Sequence, residues 1–175
     1  MSVVSDWELS FPSDGESAIT IPPGYCITDA IEKLDLCGTE LSGAFGATWM
    51  TVQEGSSFCA PCNGAHIFSW HYHPDGETRL SVDDWITFLM SNAQITLLMT
   101  ASHISLYTKL QRGRWTNIRS SVAGPNPTAT NMPNLWFVRF TKLMRKEMKT
   151  ENWFECDENQ IAAALGILHQ GAWLE

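Results

Sequence analysis

The feature that most constrains this chain is a change of period between residues 66 and 92. His66 to His73 is rich in aromatics and reads as a strand, where residues two apart face the same way. Pro74 cannot extend a strand ladder, and Pro74-Asp75-Gly76 turns the chain. Ser81 then opens a helix to about Asn92, with Trp85, Ile86, Phe88 and Leu89 on one side. A strand that must stop, followed by a helix with an apolar face, needs a layered helix–strand packing.

The rest of the chain mixes the two periods. Tyr25 to Cys37 predicts a helix, because Ile27, Ala30, Ile31 and Leu34 recur at helical spacing and Gly38 offers a C-terminal stop. Leu41 to Val52 is small and apolar and reads as one strand buried on both faces, with Gly43 and Gly46 marking close backbone approach or a bulge. Gln53 to Ala65 reads as a loop. Strands are expected near Ile95–Thr100 and Ile104–Leu110, then a hairpin-like turn at Gln111–Arg114 into a strand at Trp115–Ile118. Ser120 to Asn134 reads as a long loop and Leu135 to Phe140 as a strand. Thr141–Lys149 reads as a basic helical piece, and a last helix starts at Asp157 with Ile161, Leu165 and Leu168 on one face. The expected class is α+β, a mixed sheet flanked by helices.

Composition narrows the function classes. The net charge of −8, from 19 acidic against 11 basic residues, argues against a broad phosphate-binding surface and so against nucleic acid. No apolar run approaches the roughly 20 residues of a membrane-spanning helix, and residues 1–14 lack a basic start followed by an apolar stretch. An intracellular, soluble protein is the expectation. Five cysteines, an odd number, then fit reduced thiols better than a paired disulfide set.

The chemistry sits on the strand–turn–helix unit. His71 and His73 present two imidazoles to one side of the strand end, and Asp84 lies in the first turn of the following helix. Two imidazoles and a carboxylate make a Zn²⁺ set that leaves a fourth tetrahedral position for water, as catalytic sites do. A metal there lowers the pKa of water to about 7. Hydrolysis also needs a carboxylate near the metal but not bound to it. Glu40 suits this, at the junction of the first helix and the buried strand. Glu16, before that helix, and Glu54, on the loop, are the alternatives. Ser81 is near enough to Asp84 to steady an oxyanion.

These residues resemble the JAMM, or MPN-plus, metalloproteases. Their pattern is an upstream Glu, then His-x-His, seven residues, Ser, two residues and Asp. Here it reads Glu40, His71-Tyr72-His73, Pro74 to Leu80, Ser81, Val82-Asp83 and Asp84. By chance the four fixed positions downstream of the Glu recur in about one in 2,000 chains of this composition. The resemblance covers about residues 18–118 and implies an MPN/JAB-like, cytidine-deaminase-like layered fold. It implies zinc on His71, His73 and Asp84, Glu40 as general base and acid, and Ser81 as oxyanion donor. It further implies cleavage of isopeptide or peptide bonds, with ubiquitin or a ubiquitin-like protein as substrate. An extended substrate tail is then expected to pair with a strand edge, with selectivity set by the loops 53–65 and 120–134.

The expected division is a polar N-terminal segment (1–17), a catalytic domain (18–118), and a C-terminal extension of that domain (119–175) whose helices can meet a protein partner. Other readings of the same residues stand beside this one. Ser81-Val82-Asp83-Asp84 is also a helix capping box, in which Asp83 can supply the helix-start charge and free Asp84 for a metal. Cys59-Ala60-Pro61-Cys62 reads as two unconnected thiols in a loop, as a redox pair, or as half of a structural zinc site with His71 and His73, with His66 as a further donor. A non-catalytic MPN-like binding module and a hydrolase of another substrate also remain. His103 and His169 have no partner pattern and read as structural or surface residues.

Overall fold

The computed structural model describes residues 16–46, 49–54, 68–110, 112–124 and 132–174. Among these residues, seven strands form one mixed sheet, flanked by helices on both faces, which is an α+β architecture. In chain order the strands are β1 (Glu16–Thr20), β2 (Leu41–Ala44), β3 (Trp49–Glu54), β4 (Phe68–Tyr72), β5 (Ile95–Met99), β6 (His103–Lys109) and β7 (Ile167–Trp173). Across the sheet they run β1-β3-β2-β4-β5-β6-β7. Only β4 and β5 pair in parallel. A parallel pair needs a crossover, and α2 (Val82–Met90) supplies it.

The strand period of two sorts the side chains into two cores. Trp70, Tyr72, Leu97 and Met99 point to one face, where they pack with Leu34 and Ile31 of α1 (Ile31–Cys37). Leu98 and Tyr107 point to the other, under Trp85 and Leu89 of α2. His71, one residue from both Trp70 and Tyr72, therefore faces the α2 side. The helix expected over Tyr25–Cys37 forms as a 3₁₀ turn (Ile27–Ala30) running into α1, and Gly38 stops it with φ +67°.

Several expectations are corrected. Leu41–Val52 is not one strand but two, β2 and β3, joined as a hairpin. Gly43 marks the close approach: a Cβ there would lie 1.9 Å from the Thr51 carbonyl oxygen, which also accepts the Trp70 indole N–H at 3.0 Å. Trp115–Ile118 is not a strand but lies in α3 (Arg112–Ala123), which also takes the first residues of the expected 120–134 loop. Leu135–Phe140 is not a strand either. It continues with the basic piece as α4 (Met132–Met148), a single helix. Buried Trp115, Ile118 and Val122, and buried Phe140 and Met144, repeat at helical spacing. Leu168 lies not on the last helix, α5 (Glu158–Ala164), but in β7, which pairs with β6 along its whole length. The chain after residue 119 thus contributes an edge strand to the sheet. Among the described residues, no helix is long and apolar enough to cross a membrane.

Candidate metal centre

Three side chains converge where β4 ends. β4 delivers His71 and, one residue past its end, His73, whose backbone N–H still bonds the Met99 carbonyl at 3.0 Å. Asp84 comes from the first turn of α2. His71 Nε2 lies 3.4 Å and His73 Nε2 3.2 Å from the same oxygen, Asp84 Oδ2. The donor atoms of the three all lie within 4.8 Å of one another. Their side chains are 12%, 9% and 4% exposed for His71, His73 and Asp84.

The tautomer of His73 follows from its second nitrogen. Nδ1 sits 2.9 Å from the Glu77 carbonyl, which can only accept, so Nδ1 carries the proton. In the neutral ring the Nε2 lone pair therefore points at a carboxylate. Among the described residues, buried His71 Nε2 makes no hydrogen bond beyond that 3.4 Å approach to Asp84. Electron-rich atoms gathered this way call for a cation between them, a proton or a metal. The trio fits a divalent metal, and the Glu77 carbonyl is the outer partner that such a ligating imidazole needs.

Electrostatics agree. Burial works against an ionised Asp84, but the His71 and His73 imidazoles and the Ser81 amide outweigh it. They hold the carboxyl well below the usual carboxylate range. Burial likewise favours neutral His73, yet Asp84, the Glu77 carbonyl and Glu40 outweigh it and raise its pKa.

The capping box and the ligand set turn out to be one arrangement. Ser81 Oγ accepts the Asp84 N–H at 3.1 Å, and Asp84 Oδ2 accepts the Ser81 N–H at 3.0 Å. Asp84 is thus itself the box carboxylate. Asp83 does lie in the first turn and adds negative charge there, exposed at the rim, but it does not free Asp84 from the cap. The cap bond uses an acceptor site of the Ser81 hydroxyl and leaves its proton to donate.

Glu40 arrives from the neighbouring strand. Leu41 pairs with Tyr72, so the residue before β2 lies beside the residue after β4. Glu40 Oε1 is 3.7 Å from His73 Nε2, and its side chain is 38% exposed. It stands next to the trio without joining it. Glu40, Ser81, Asp83 and Asp84 line a cavity of about 510 Å³ together with Glu77, Arg79 and Phe154. Of the other base candidates, the backbone of Glu54 pairs with Leu41, and that of Glu16 pairs with Gln53. The backbones of Glu16 and Glu54 lie at the ends of β1 and β3, strands that do not carry the histidines.

The sequence reading missed Phe154, Arg79 and Glu158. Arg79 donates to the Phe154 and Cys156 carbonyls at 2.6 and 2.9 Å. Buried Glu158 accepts the Leu80 N–H at 3.2 Å. No local pattern around residues 153–158 signals this, because its partners lie on the far side of the sequence. Cys59, Cys62 and His66 lie outside the described residues. His103 and His169 sit together on β6 and β7, where Ser105 Oγ lies 3.4 Å from His103 Nδ1 and 3.2 Å from His169 Nε2. Comparison of the chain with protein-family models, with curated proteins and with solved structures returned no match.

Proposed function

We propose that this chain is a zinc metalloprotease of the JAMM type that hydrolyses isopeptide or peptide bonds, with ubiquitin or a ubiquitin-like protein as substrate. The observation that carries the reading is the meeting of His71, His73 and Asp84 beside, but not with, the Glu40 carboxylate. A structural site closes its coordination with four protein donors, whereas a catalytic one keeps a position open and a base nearby.

Zn²⁺, when bound, supplies Lewis acidity and a water nucleophile near neutral pH. His71, His73 and Asp84 hold it. Glu40 takes the proton of the attacking water and returns it to the leaving amine. Ser81 donates a hydrogen bond from its hydroxyl to the carbonyl oxygen as that atom gains charge. Glu77 keeps His73 in the ligating tautomer through its main-chain carbonyl. The net charge of −8 supports a protein that binds no nucleic acid; a soluble, intracellular location is part of the proposal, and among the described residues no helix is long and apolar enough to cross a membrane. Exposed Phe137 and Val138 on α4 support a protein partner at the C-terminal helices.

Zinc stoichiometry tests the metal assignment. His71→Ala and Asp84→Ala should each lose the metal, and Cys59→Ser should keep it. The opposite pattern would place the zinc on the cysteines and end this reading. Glu40→Gln should keep zinc and fold but lose chelator-sensitive cleavage of a panel of linked ubiquitin and ubiquitin-like chains. Normal turnover in that variant would remove Glu40 from its role.

A further inference from the structure

The residues that hold the ligand-bearing loop in place come from much later in the chain. Between His73 and Asp84 the chain is pinned in succession. The Glu77 carbonyl takes the His73 Nδ1–H, the Leu80 N–H goes to Glu158 Oε2, and the Ser81 N–H goes to Asp84 Oδ2. Two consecutive amides are therefore fixed by two carboxylates. One belongs to the metal trio and the other to α5, 78 residues downstream of Leu80.

Glu158 does not stand alone. Its Oε2 is 3.5 Å from Arg79 Nε, and its other oxygen, Oε1, is buried without a hydrogen-bond partner. The Tyr107 hydroxyl and Trp85 indole N–H lie beside the same carboxyl, short of hydrogen-bonding geometry. Arg79 closes the other half of the clasp. Its Nη2 bridges the Phe154 and Cys156 carbonyls, and its guanidinium lies 4.8 Å over the Phe154 ring. Phe154 is a wall of the cavity.

We propose that Arg79 and Glu158 are a positioning pair for the metal centre, clamping the 77–81 segment onto residues 154–158 so that Asp84 is held in the ligating geometry by the Ser81 cap. Neither belongs to the donor group. They act through the Leu80 amide and the cavity wall. This inference rests on the metal reading of His71, His73 and Asp84.

Titration of the full chain with Co²⁺, read by its visible absorption, tests the pair without any need for turnover. The band position reports ligand geometry, which a purely structural role would leave alone. Glu158→Ala removes the acceptor for Leu80. Arg79→Lys keeps the charge, but one ammonium cannot serve the two carbonyls that Nη2 bonds and also face Glu158 as Nε does, and it loses the plane over Phe154. Both should weaken Co²⁺ binding by about tenfold, the low end for outer-shell partners, and shift the band at saturation. Glu158→Gln, which retains an acceptor oxygen, should bind close to wild type. Should Glu158→Ala not fold, Arg79→Lys against Glu158→Gln carries the same comparison. Wild-type uptake with unchanged affinity and band in Arg79→Lys and in folded Glu158→Ala overturns the positioning role alone. So does a loss in Glu158→Gln as large as in Glu158→Ala. A wild type that takes up no Co²⁺ overturns the metal reading and this inference together.

Discussion

Ser81 holds two positions at once, and substitutions there separate them. As N-cap it accepts the Asp84 N–H at 3.1 Å, and as a cavity-lining hydroxyl it keeps a proton to donate. Removing an N-cap side chain by Ala costs about 1 kcal/mol, whereas Gly at the same position costs only a few tenths. For a chain of 175 residues, 1 kcal/mol corresponds to about 2–4 °C in melting temperature. Ser81→Ala should therefore melt a few degrees lower and Ser81→Gly almost at wild type. Neither retains an oxyanion donor, and loss of one such donor lowers kcat by about 10²–10³. The two variants should part in melting temperature and fall together in kcat, while Ser81→Thr keeps much of both. The Ser81 contact to Asp84 Oδ2 is a main-chain N–H and survives all three changes, so zinc content should stay near wild type. Differential scanning fluorimetry, metal analysis and cleavage of a ubiquitin C-terminal amide give the three readings. A Ser81→Gly variant with unimpaired kcat, beside a Ser81→Ala variant that loses activity only as it loses stability, would reduce Ser81 to a helix cap.

Other expectations follow from the same geometry. His73 must lose its Nε2 proton to bind a metal, and its pKa is raised, so competition begins above the ordinary value of about 6.5. Metal affinity, measured by competition with a chromophoric chelator, should fall at least tenfold per pH unit below the His73 pKa. A flat profile through that range would refute the tautomer argument. The metal-free protein should show the opposite sign. A raised folded pKa contributes stability that is fully present below about 6.5 and is lost as pH rises through the folded value. Its melting temperature should therefore drop over that rise unless zinc is added. Gly43→Ala would put a methyl 1.9 Å from the Thr51 carbonyl oxygen, so β2 and β3 must separate. Overpacking of this kind costs about 1–3 kcal/mol, and an unchanged melting temperature would mean that the hairpin is looser than described.

The site was legible because its ligands are local. His71, His73 and Asp84 sit on one strand–turn–helix unit, where the strand period of two and a helix cap suffice to bring them together. Glu40 needed one more inference, that β2 runs antiparallel beside β4, and the sequence showed only a helix end followed by a buried strand. Arg79 and Glu158 were invisible, since an acid in the first turn of a helix is ordinary and its partner amide is far away in sequence. The fold was misread where short windows mislead. Leu135–Phe140 is rich in strand-favouring aromatics and Val, and only the longer repeat through Phe140 and Met144 reveals α4. β7 contains a glycine and is exposed along most of its length, so it shows no clean alternation. Its strand character comes from pairing with β6.

The distance along the chain between ligand set and clasp also orders events during synthesis. Translation runs from the N-terminus, and domains generally fold as units during it. The stretch from β4 into α2 therefore leaves the ribosome with every metal donor present, while Phe154, Glu158 and the strand that edges the sheet are still unmade. Because the domain folds as a unit and β4 pairs with the later β5, the donors are out before the sheet and the cavity wall that fix their geometry. Emergence of the donors and completion of the cavity are then successive steps of biogenesis, and a chain interrupted between them would carry the donors with one side of the cavity missing.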